Sequence, residues 1–128
     1  MYADLVGSTS MSMTLPVDKL VAIIRAFTHE ISHVVDNFDG YVLKYVGDAV
    51  ISFFPCRANN NNDYNHLASD VSVECGKSMI NAIHEEINSI LNAKYGYPEL
   101  FTKIGIDAGE CAIVQYGYKQ LSSIYTGI

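Results

Sequence analysis

Apolar residues recur at helical spacing in two stretches of the chain, and each stretch predicts one amphipathic helix. The first predicted helix begins near Pro16, has Asp18 in its first turn, and ends at the Asp-Gly pair 39–40. The second runs from about residue 67 to residue 92 and is closed by Gly96 and Pro98. The positions expected to face the core are Leu20, Ile24, Phe27, Ile31, Val34 and Phe38 in the first helix and Val71, Cys75, Met79, Ile83, Ile87 and Ile90 in the second.

Shorter runs rich in β-branched and aromatic residues predict the strands. Residues 1–6 are interpreted as the end of a strand that runs into a tight turn at residues 7–10. Residues 41–46 and 49–54 predict a hairpin with Gly47 and Asp48 at its tip. Residues 101–106 and 111–116 predict a second strand pair, and the polar stretch 57–66 predicts a loop.

The predicted order of elements is β-α-β-β-α-β-β. This order is typical of a ferredoxin-like, palm-type α+β fold, in which two helices pack on one face of an antiparallel sheet. No linker or internal repeat divides the 128 residues, so we expect a single domain over residues 1–128. We expect that domain to be partial, with a clipped first strand and a missing C-terminal part.

Composition and charge narrow the range of functions. A net charge of -6 argues against binding to a nucleic-acid backbone, although a metal ion can supply local positive charge for a nucleotide. Three widely spaced cysteines without a CxxC pair are typical of thiols in a reducing compartment. No apolar run reaches the roughly 18 residues of a membrane span and no signal peptide is visible, so the sequence predicts a cytoplasmic chain.

Two carboxylates are expected to meet at one edge of the predicted sheet. Asp4 lies at the end of the first strand and Asp48 at the hairpin tip. Two carboxylates held close together repel unless a divalent cation lies between them, and such oxygen ligands favour Mg²⁺ or Mn²⁺. The turn at residues 7–9 leads into a helix and offers backbone N–H groups to a triphosphate. Because a single Asp in a turn is more commonly a capping residue, the interpretation depends on the pair.

Three segments resemble the motifs of class III nucleotide cyclases. Residues 2–9 (YADLVGST) resemble the first motif, an aromatic residue followed by x-Asp-aliphatic-x-Gly-[Phe/Ser]-Thr. Residues 40–53 (GYVLKYVGDAVISF) resemble the second motif, Gly-x-x-x-Lys-x-x-Gly-Asp-x-x-x-x-Phe. Residues 103–109 (KIGIDAG) resemble the later strand motif, usually Arg-[Ile/Val]-Gly-Ile-His-x-Gly. The motifs follow the family's order, which predicts the catalytic domain of an adenylyl or guanylyl cyclase.

The resemblance implies a role for each matched residue. Two Mg²⁺ or Mn²⁺ ions would be bound by Asp4, Asp48 and the backbone carbonyl of Leu5. The nucleotide would be contacted by Leu5, Gly7, Ser8, Thr9, Lys44 and Gly47. In the family this lysine selects ATP over GTP, so the implied reaction converts ATP to 3′,5′-cyclic AMP and pyrophosphate. The implied assembly is a head-to-tail homodimer, in which one subunit supplies the metals and the other the base pocket.

The chain also departs from the family pattern. Asp107 stands where the family usually has His, at a position that is not itself catalytic. The family continues with an Asn and an Arg that act on the transition state, and residues 123–128 match neither. Losing such charge stabilisation costs orders of magnitude in rate. One alternative is therefore a degenerate cyclase-like domain that senses a nucleotide or dimerises without turnover.

A further motif indicates a different class of enzyme. Residues 29–33 (HEISH) match H-E-x-x-H, which suits zinc on a helix, with Glu30 as the general base of a metalloprotease. Helical spacing places His29 and His33 opposite the predicted apolar stripe, and no third ligand is evident. A diguanylate cyclase or polymerase palm would share the metal chemistry, but residues 46–49 (VGDA) lack the Gly-Gly-Asp-Glu-Phe hairpin of the former.

Overall fold

The computed structural model describes residues 1–56 and 64–115. Of the predicted loop at residues 57–66, residues 57–63 lie outside the described residues, as does everything after residue 115, and residues 64–66 are helical rather than loop. The elements are, in chain order, β1 (Tyr2–Leu5), α1 (Ser8–Thr14), α2 (Val17–Asn37), β2 (Tyr41–Val46), β3 (Ala49–Phe53), α3 (Tyr64–Asn81), a π-helical segment (Ala82–Ile87), α4 (Asn88–Tyr95) and β4 (Thr102–Gly105). None of the helices in this part of the chain is both long enough and apolar enough to cross a membrane.

The four strands form one antiparallel sheet in the order β2-β3-β1-β4. Strand β1 lies inside the sheet, between β3 and β4. Helix α2 packs against β1, β2 and β3, while α3 packs against α2 and β4. The predicted α+β class, with helices on an antiparallel palm-type sheet, is therefore confirmed.

The second predicted strand pair is only half confirmed. Strand β4 lies within the predicted range 101–106, but residues 111–115 do not form a strand, and residue 116 lies outside the described part. Ile113 and Val114 are exposed. An apolar segment that is neither buried nor paired with a neighbour gains little from an extended conformation, so alternation alone does not predict a strand here.

Helix α2 supplies one side of the hydrophobic core. It begins after Pro16 and ends before Asp39, as predicted. Its buried positions are Ile23, Phe27, Ile31, Val34 and Val35. The last two turns follow the predicted stripe, whereas in the first turns Ile23 is buried and the predicted positions Leu20 and Ile24 are only half-buried.

The second predicted helix is one helical run with the π-helical segment in its middle. The predicted core positions that are fully buried are Cys75, Met79 and Ile83. The prediction for Ile90 is wrong, because it is 51% exposed while Asn88 and Leu91 are buried. A π-helix bonds residue i to i+5, so each residue turns less around the axis than in an α-helix. The positions after the segment are rotated accordingly, and Asn88 and Leu91 face the core.

The hairpin β2–β3 is confirmed, with Gly47 and Asp48 at its tip. Val46 and Ala49 pair across the turn. Gly47 has a φ of 61°, a left-handed conformation that residues with a Cβ rarely adopt. The register shifts between Val42 and Lys44, which is a β-bulge in the edge strand β2.

Helix α1 is an element that the sequence pattern does not predict. It has seven residues of the Ser, Thr and Met types, and none of them is buried. The sequence predicts a tight turn at residues 7–10 and a helix only from Pro16, but residues 8–10 already belong to α1. A helix without a buried face shows no apolar periodicity, so the pattern does not reveal it.

The sheet has two faces of different character. Residues directly opposite each other in an antiparallel pair share a face, and neighbours along a strand alternate between faces. The face beneath the helices carries Ala3, Leu5, Val42 and Val50. The opposite face, here called the outer face, carries Tyr2, Asp4, Tyr41, Lys44, Ile51, Phe53 and Lys103. On it the rings of Tyr41 and Phe53 stack with their centroids 5.3 Å apart.

Candidate active site

Asp4 lies on the outer face near the end of β1, directly opposite Lys103 of β4. The two residues form an ion pair, with 3.1 Å between Lys103 Nζ and Asp4 Oδ2. The Asp4 side chain is only 15% exposed, whereas that of Lys103 is 68% exposed. The carboxylate is therefore fixed in the sheet while the ammonium group reaches it from solvent.

Asp48 lies at the tip of the β2–β3 hairpin, directly before β3. Its Oδ2 atom is buried and, within the described part of the chain, has no hydrogen-bond partner. Leaving a buried polar atom unpaired costs about 1–3 kcal/mol, and more for a charged group. Such an atom in a folded protein needs an explanation, and a cation that binds there is the simplest one for a carboxylate.

The electrostatics of Lys103 connect the two carboxylates. The hydrogen bond to Asp4 raises the pKa of Lys103, and the negative charge of Asp4 adds to this effect. The charge of Asp48 raises the same pKa, so both carboxylates act on one ammonium group. A cation bound at either carboxylate would therefore also act on this ammonium group. The convergence of Asp4 and Asp48 stays a prediction, which this shared influence on Lys103 supports.

Lys103 is a site residue that sequence reasoning missed. It begins the third motif, at a position where the related pattern usually has Arg. The available signal was the antiparallel pairing of that motif's strand with β1, because the register places Lys103 opposite Asp4. Sequence alone does not give a register between strands that are about a hundred residues apart.

The turn at residues 7–9 follows β1 directly and begins helix α1. Gly7 is the N-cap residue, with φ 78° and ψ 14° in the left-handed region. The Met11 amide donates to the Gly7 carbonyl at 3.0 Å and closes the first helical turn. The first amides of any helix have no intrahelical acceptor, so those of Ser8 and Thr9 are suited to an anion. Leu5, whose carbonyl is an expected metal ligand, is the buried last residue of β1.

Lys44 lies apart from this cluster. It is exposed on β2, opposite Ile51, while Asp4 lies on β1. Because β3 separates β2 from β1, the two backbones are two strand spacings apart, about 10 Å. The structure therefore pairs Asp4 with Lys103, places Asp48 within electrostatic influence of the same lysine, and leaves Lys44 at the sheet edge.

The H-E-x-x-H motif lies on α2, where both His29 and His33 are exposed. Glu30 Oε1 lies 3.9 Å from His33 Nδ1, and both residues line a groove of about 490 Å³ between α2 and the second helical run. Across residues 1–56 and 64–115, no group of three or more His, Cys, Asp or Glu side chains could hold a metal ion. The metalloprotease interpretation thus lacks a third ligand in the described residues. The Asp4–Asp48 pair is smaller than such a group, since its implied third ligand is a backbone carbonyl.

Comparison with known proteins gives relatives of one kind. No protein-family model matches the chain. A cytidylate cyclase of Escherichia coli is 29% identical over 122 residues, which cover 91% of this chain and 25% of that protein. A uridylate cyclase of Rhodovulum sp. (strain MB263) is 24% identical over 133 residues, which cover 97% of this chain and 51% of that protein. The chain thus spans about a quarter and about half of the lengths of these relatives.

Solved structures of similar fold are also cyclases. The adenylyl cyclase CyaB of P. aeruginosa superposes with a TM-score of 0.68 at 21% identity, covering 79% of this chain and 50% of that chain. The guanylyl cyclase Cya2 gives a TM-score of 0.65 at 23% identity, covering 79% and 48%. The described residues therefore have the fold of a class III nucleotide cyclase domain. Within that class, the two curated relatives are named for pyrimidine nucleotides and the two structural neighbours for purine nucleotides.

Proposed function

We propose that this chain contributes the metal-binding and triphosphate-binding part of a nucleotide cyclase. In that reaction the 3′-oxygen of a nucleoside triphosphate attacks its own α-phosphorus, the bond to the bridging oxygen breaks, and pyrophosphate leaves. The observation that carries the proposal is the buried, unpartnered oxygen of Asp48, which lies with Asp4 in the field of one lysine. The likeness of nearly the whole chain to two curated cyclases supports the same reaction class.

The residues present fit Mg²⁺ or Mn²⁺, two ions per site as the motif resemblance implies. Carboxylate and carbonyl oxygens are the ligands that such ions prefer, and Asp48 offers one that is already unpaired. Asp4, Asp48 and the Leu5 carbonyl would hold the ions. When bound, the ions lower the pKa of the 3′-hydroxyl and neutralise charge on the phosphates.

The chain's own cations and amides would act on the triphosphate. Lys103, which pairs with the Asp4 carboxylate at 3.1 Å, would be released from that ion pair if Asp4 held a metal ion. Its ammonium group would then lie beside the metal site, where it could contact a phosphate oxygen and stabilise developing charge. The amides of Ser8 and Thr9 begin α1 behind the left-handed Gly7 and would bind further phosphate oxygens.

Two kinds of nucleotide base are candidates for the substrate, a purine and a pyrimidine. The second motif, with Lys44, favours ATP and hence cyclic AMP as the product. The cytidylate and uridylate cyclases among the relatives favour CTP or UTP. The separation of Lys44 from Asp4 supports a head-to-tail homodimer, in which Lys44 of one copy would contact the base at the metal site of the other.

The decisive experiment incubates the full chain with ATP, GTP, CTP or UTP at high protein concentration, with Mn²⁺ or Mg²⁺, and identifies products by mass spectrometry. A cyclic nucleotide formed only with metal supports the cyclase, and the best substrate identifies the base. Metal-dependent nucleotide binding without any cyclic product would replace the enzyme with the degenerate nucleotide-sensing domain. If the chain neither binds a nucleotide nor forms a cyclic product, the proposal is contradicted. Zinc analysis of wild type and His33→Ala would then test the metalloprotease.

Changing Lys44 to glutamate tests the ATP candidate. The expected result is an ATP KM that rises roughly tenfold, or a preference that shifts towards GTP, because a hydrogen bond from a charged donor is lost and a like charge is introduced. Lys94→Glu, at an exposed position in the last turn of α4, is the matched control for the change in net charge. Steady-state kinetics with ATP and GTP measure the effect, and unchanged ATP kinetics in Lys44→Glu would exclude this role.

A further inference from the structure

We infer that Asn88 is a positioning residue for the metal site. Its side-chain amide fixes the segment that enters β4, and β4 in turn holds Asp4 and the turn that follows β1. The inference rests on the proposed function where it treats Asp4 as a metal ligand. The contacts that support it stand without that assumption.

Both the nitrogen and the oxygen of the Asn88 side-chain amide form hydrogen bonds with the backbone of Leu100. Asn88 Nδ2 donates to the Leu100 carbonyl at 2.9 Å, and the Leu100 amide donates to Asn88 Oδ1 at 2.7 Å. Asn88 is 5% exposed, and Leu100 is buried in the core. The amide thus satisfies both the N–H and the C=O of Leu100, as a neighbouring strand would. Because the amide is buried, breaking either hydrogen bond is costly, and Leu100 is held in place.

The three residues after Leu100 each hold the end of β1. The Phe101 carbonyl accepts a hydrogen bond from the Val6 amide at 2.8 Å. Thr102 Oγ1 donates to the Asp4 carbonyl at 3.1 Å, and Lys103 pairs with the Asp4 carboxylate. Because these residues are consecutive, a displacement of Leu100 moves all three contacts together. Asn88 thus acts on Asp4 through the backbone of β4.

The π-helical segment explains how an asparagine in this helix reaches the core. In an uninterrupted α-helix, at about 100° per residue, Asn88 would lie about 140° around the axis from Ile83. The segment ends at Ile87, immediately before Asn88, and its wider turn rotates Asn88 to the buried side. An irregular helix turn is thereby used to aim one amide at the segment that supports the site.

Two substitutions break the connection at different points. Asn88→Ala removes both hydrogen bonds to Leu100, and Thr102→Val removes only the hydroxyl that contacts the Asp4 carbonyl. Outer groups that orient metal ligands are worth roughly 10–100-fold in metal affinity. We therefore expect Mn²⁺ to bind about tenfold more weakly to Asn88→Ala in calorimetric titration, and several-fold more weakly to Thr102→Val. In the double variant the loss should be smaller than the product of the two single losses, because both act through one chain of contacts.

Hydrogen exchange of the metal-free protein gives a second readout. In Asn88→Ala the Val6 amide should exchange faster. Its acceptor is the carbonyl of Phe101, the residue next to Leu100 in the chain, and Leu100 is no longer held by Asn88. Ser72→Ala is the matched control, because Ser72 is also buried and its hydroxyl bonds locally to the Ser69 carbonyl at 2.8 Å. All variants are compared at a temperature where circular dichroism shows them fully folded.

Each outcome decides the inference. Unchanged Mn²⁺ affinity and unchanged Val6 exchange in Asn88→Ala, relative to Ser72→Ala, would overturn it. If Asn88→Ala does not fold, Thr102→Val decides, and wild-type Mn²⁺ affinity in that variant would overturn it equally. If the wild type binds no Mn²⁺, the metal site of the proposed function fails, whereas faster Val6 exchange would still support the role of Asn88 in fixing β4.

Discussion

Replacing Asp48 with asparagine is expected to abolish metal-dependent product formation while the domain stays folded. The substitution removes a charge and a ligand oxygen from the metal site. Removing a group that merely orients a ligand already costs roughly 10–100-fold, so the loss of a ligand should exceed about a hundredfold. Without metal, the unfolding temperature should stay the same or rise, because a buried oxygen with no hydrogen-bond partner then belongs to a neutral amide.

Thermal unfolding and cyclic nucleotide production, each with and without Mn²⁺, measure both parts of this prediction. In the wild type the ion should raise the unfolding temperature, since a ligand that binds only the folded state stabilises it, and in Asp48→Asn this shift should disappear. Asp36→Asn, an exposed Asp near the end of α2, makes the same chemical change away from the site and should keep both activity and shift. Retained cyclase activity in Asp48→Asn would overturn the mechanism.

Replacing Lys103 with methionine is expected to change metal binding and turnover in opposite directions. Without nucleotide, Mn²⁺ should bind several-fold more tightly, because the ammonium group that pairs with Asp4 at 3.1 Å no longer competes for the carboxylate. Product formation should nevertheless fall about a hundredfold, since a positive charge that stabilises the phosphates in the transition state is lost.

Lys103→Arg provides the matched control for this prediction. It keeps the charge and the ability to donate to Asp4, so Mn²⁺ affinity should stay near the wild-type value and most of the activity should return. Calorimetric titration without nucleotide gives the first quantity, and single-turnover kinetics give the second. If Lys103→Met binds Mn²⁺ more tightly and keeps full activity, Lys103 only pairs with Asp4 and has no role in turnover. If this variant binds Mn²⁺ more weakly, Lys103 does not compete with the metal for the Asp4 carboxylate.

The sequence predicted those parts of the fold in which a local pattern of apolar or turn residues matches the residues that are buried. Helix α2 was predicted because its stripe includes Phe27 and Ile31, which are fully buried. The hairpin was predicted because Gly47 marks its turn. Helix α1 has no buried residue and left no periodicity to detect. The exposure of Ile90 follows from a π-helical segment, and such a change in helical pitch depends on tertiary packing that no local pattern encodes.

The candidate site was predicted only as far as its residues lie beside a turn. Asp4 and Asp48 were proposed because each lies where a strand meets a Gly-containing turn. Lys103 and Asn88 were missed because their roles depend on pairing across the sheet and on helix rotation. In sequence, Asn88 resembles a surface residue in a polar stretch of helix, and only its two hydrogen bonds to Leu100 distinguish it. Interactions between residues distant in the chain thus determine the remainder of the site.

Among residues 1–56 and 64–115 nothing covers the outer face around Tyr2 and Tyr41, and this has a consequence for the fidelity of the proposed reaction. Tyr2 is 41% exposed and Tyr41 is 45% exposed on the same side of the sheet as Asp4. Water that reaches a triphosphate there is a rival nucleophile to the 3′-hydroxyl, and its attack yields a linear monophosphate that carries no cyclic signal. Closed active sites suppress such side reactions by excluding water. The proposed ring closure would therefore require a second surface over the outer face, and the stacked rings of Tyr41 and Phe53 offer that surface an apolar contact.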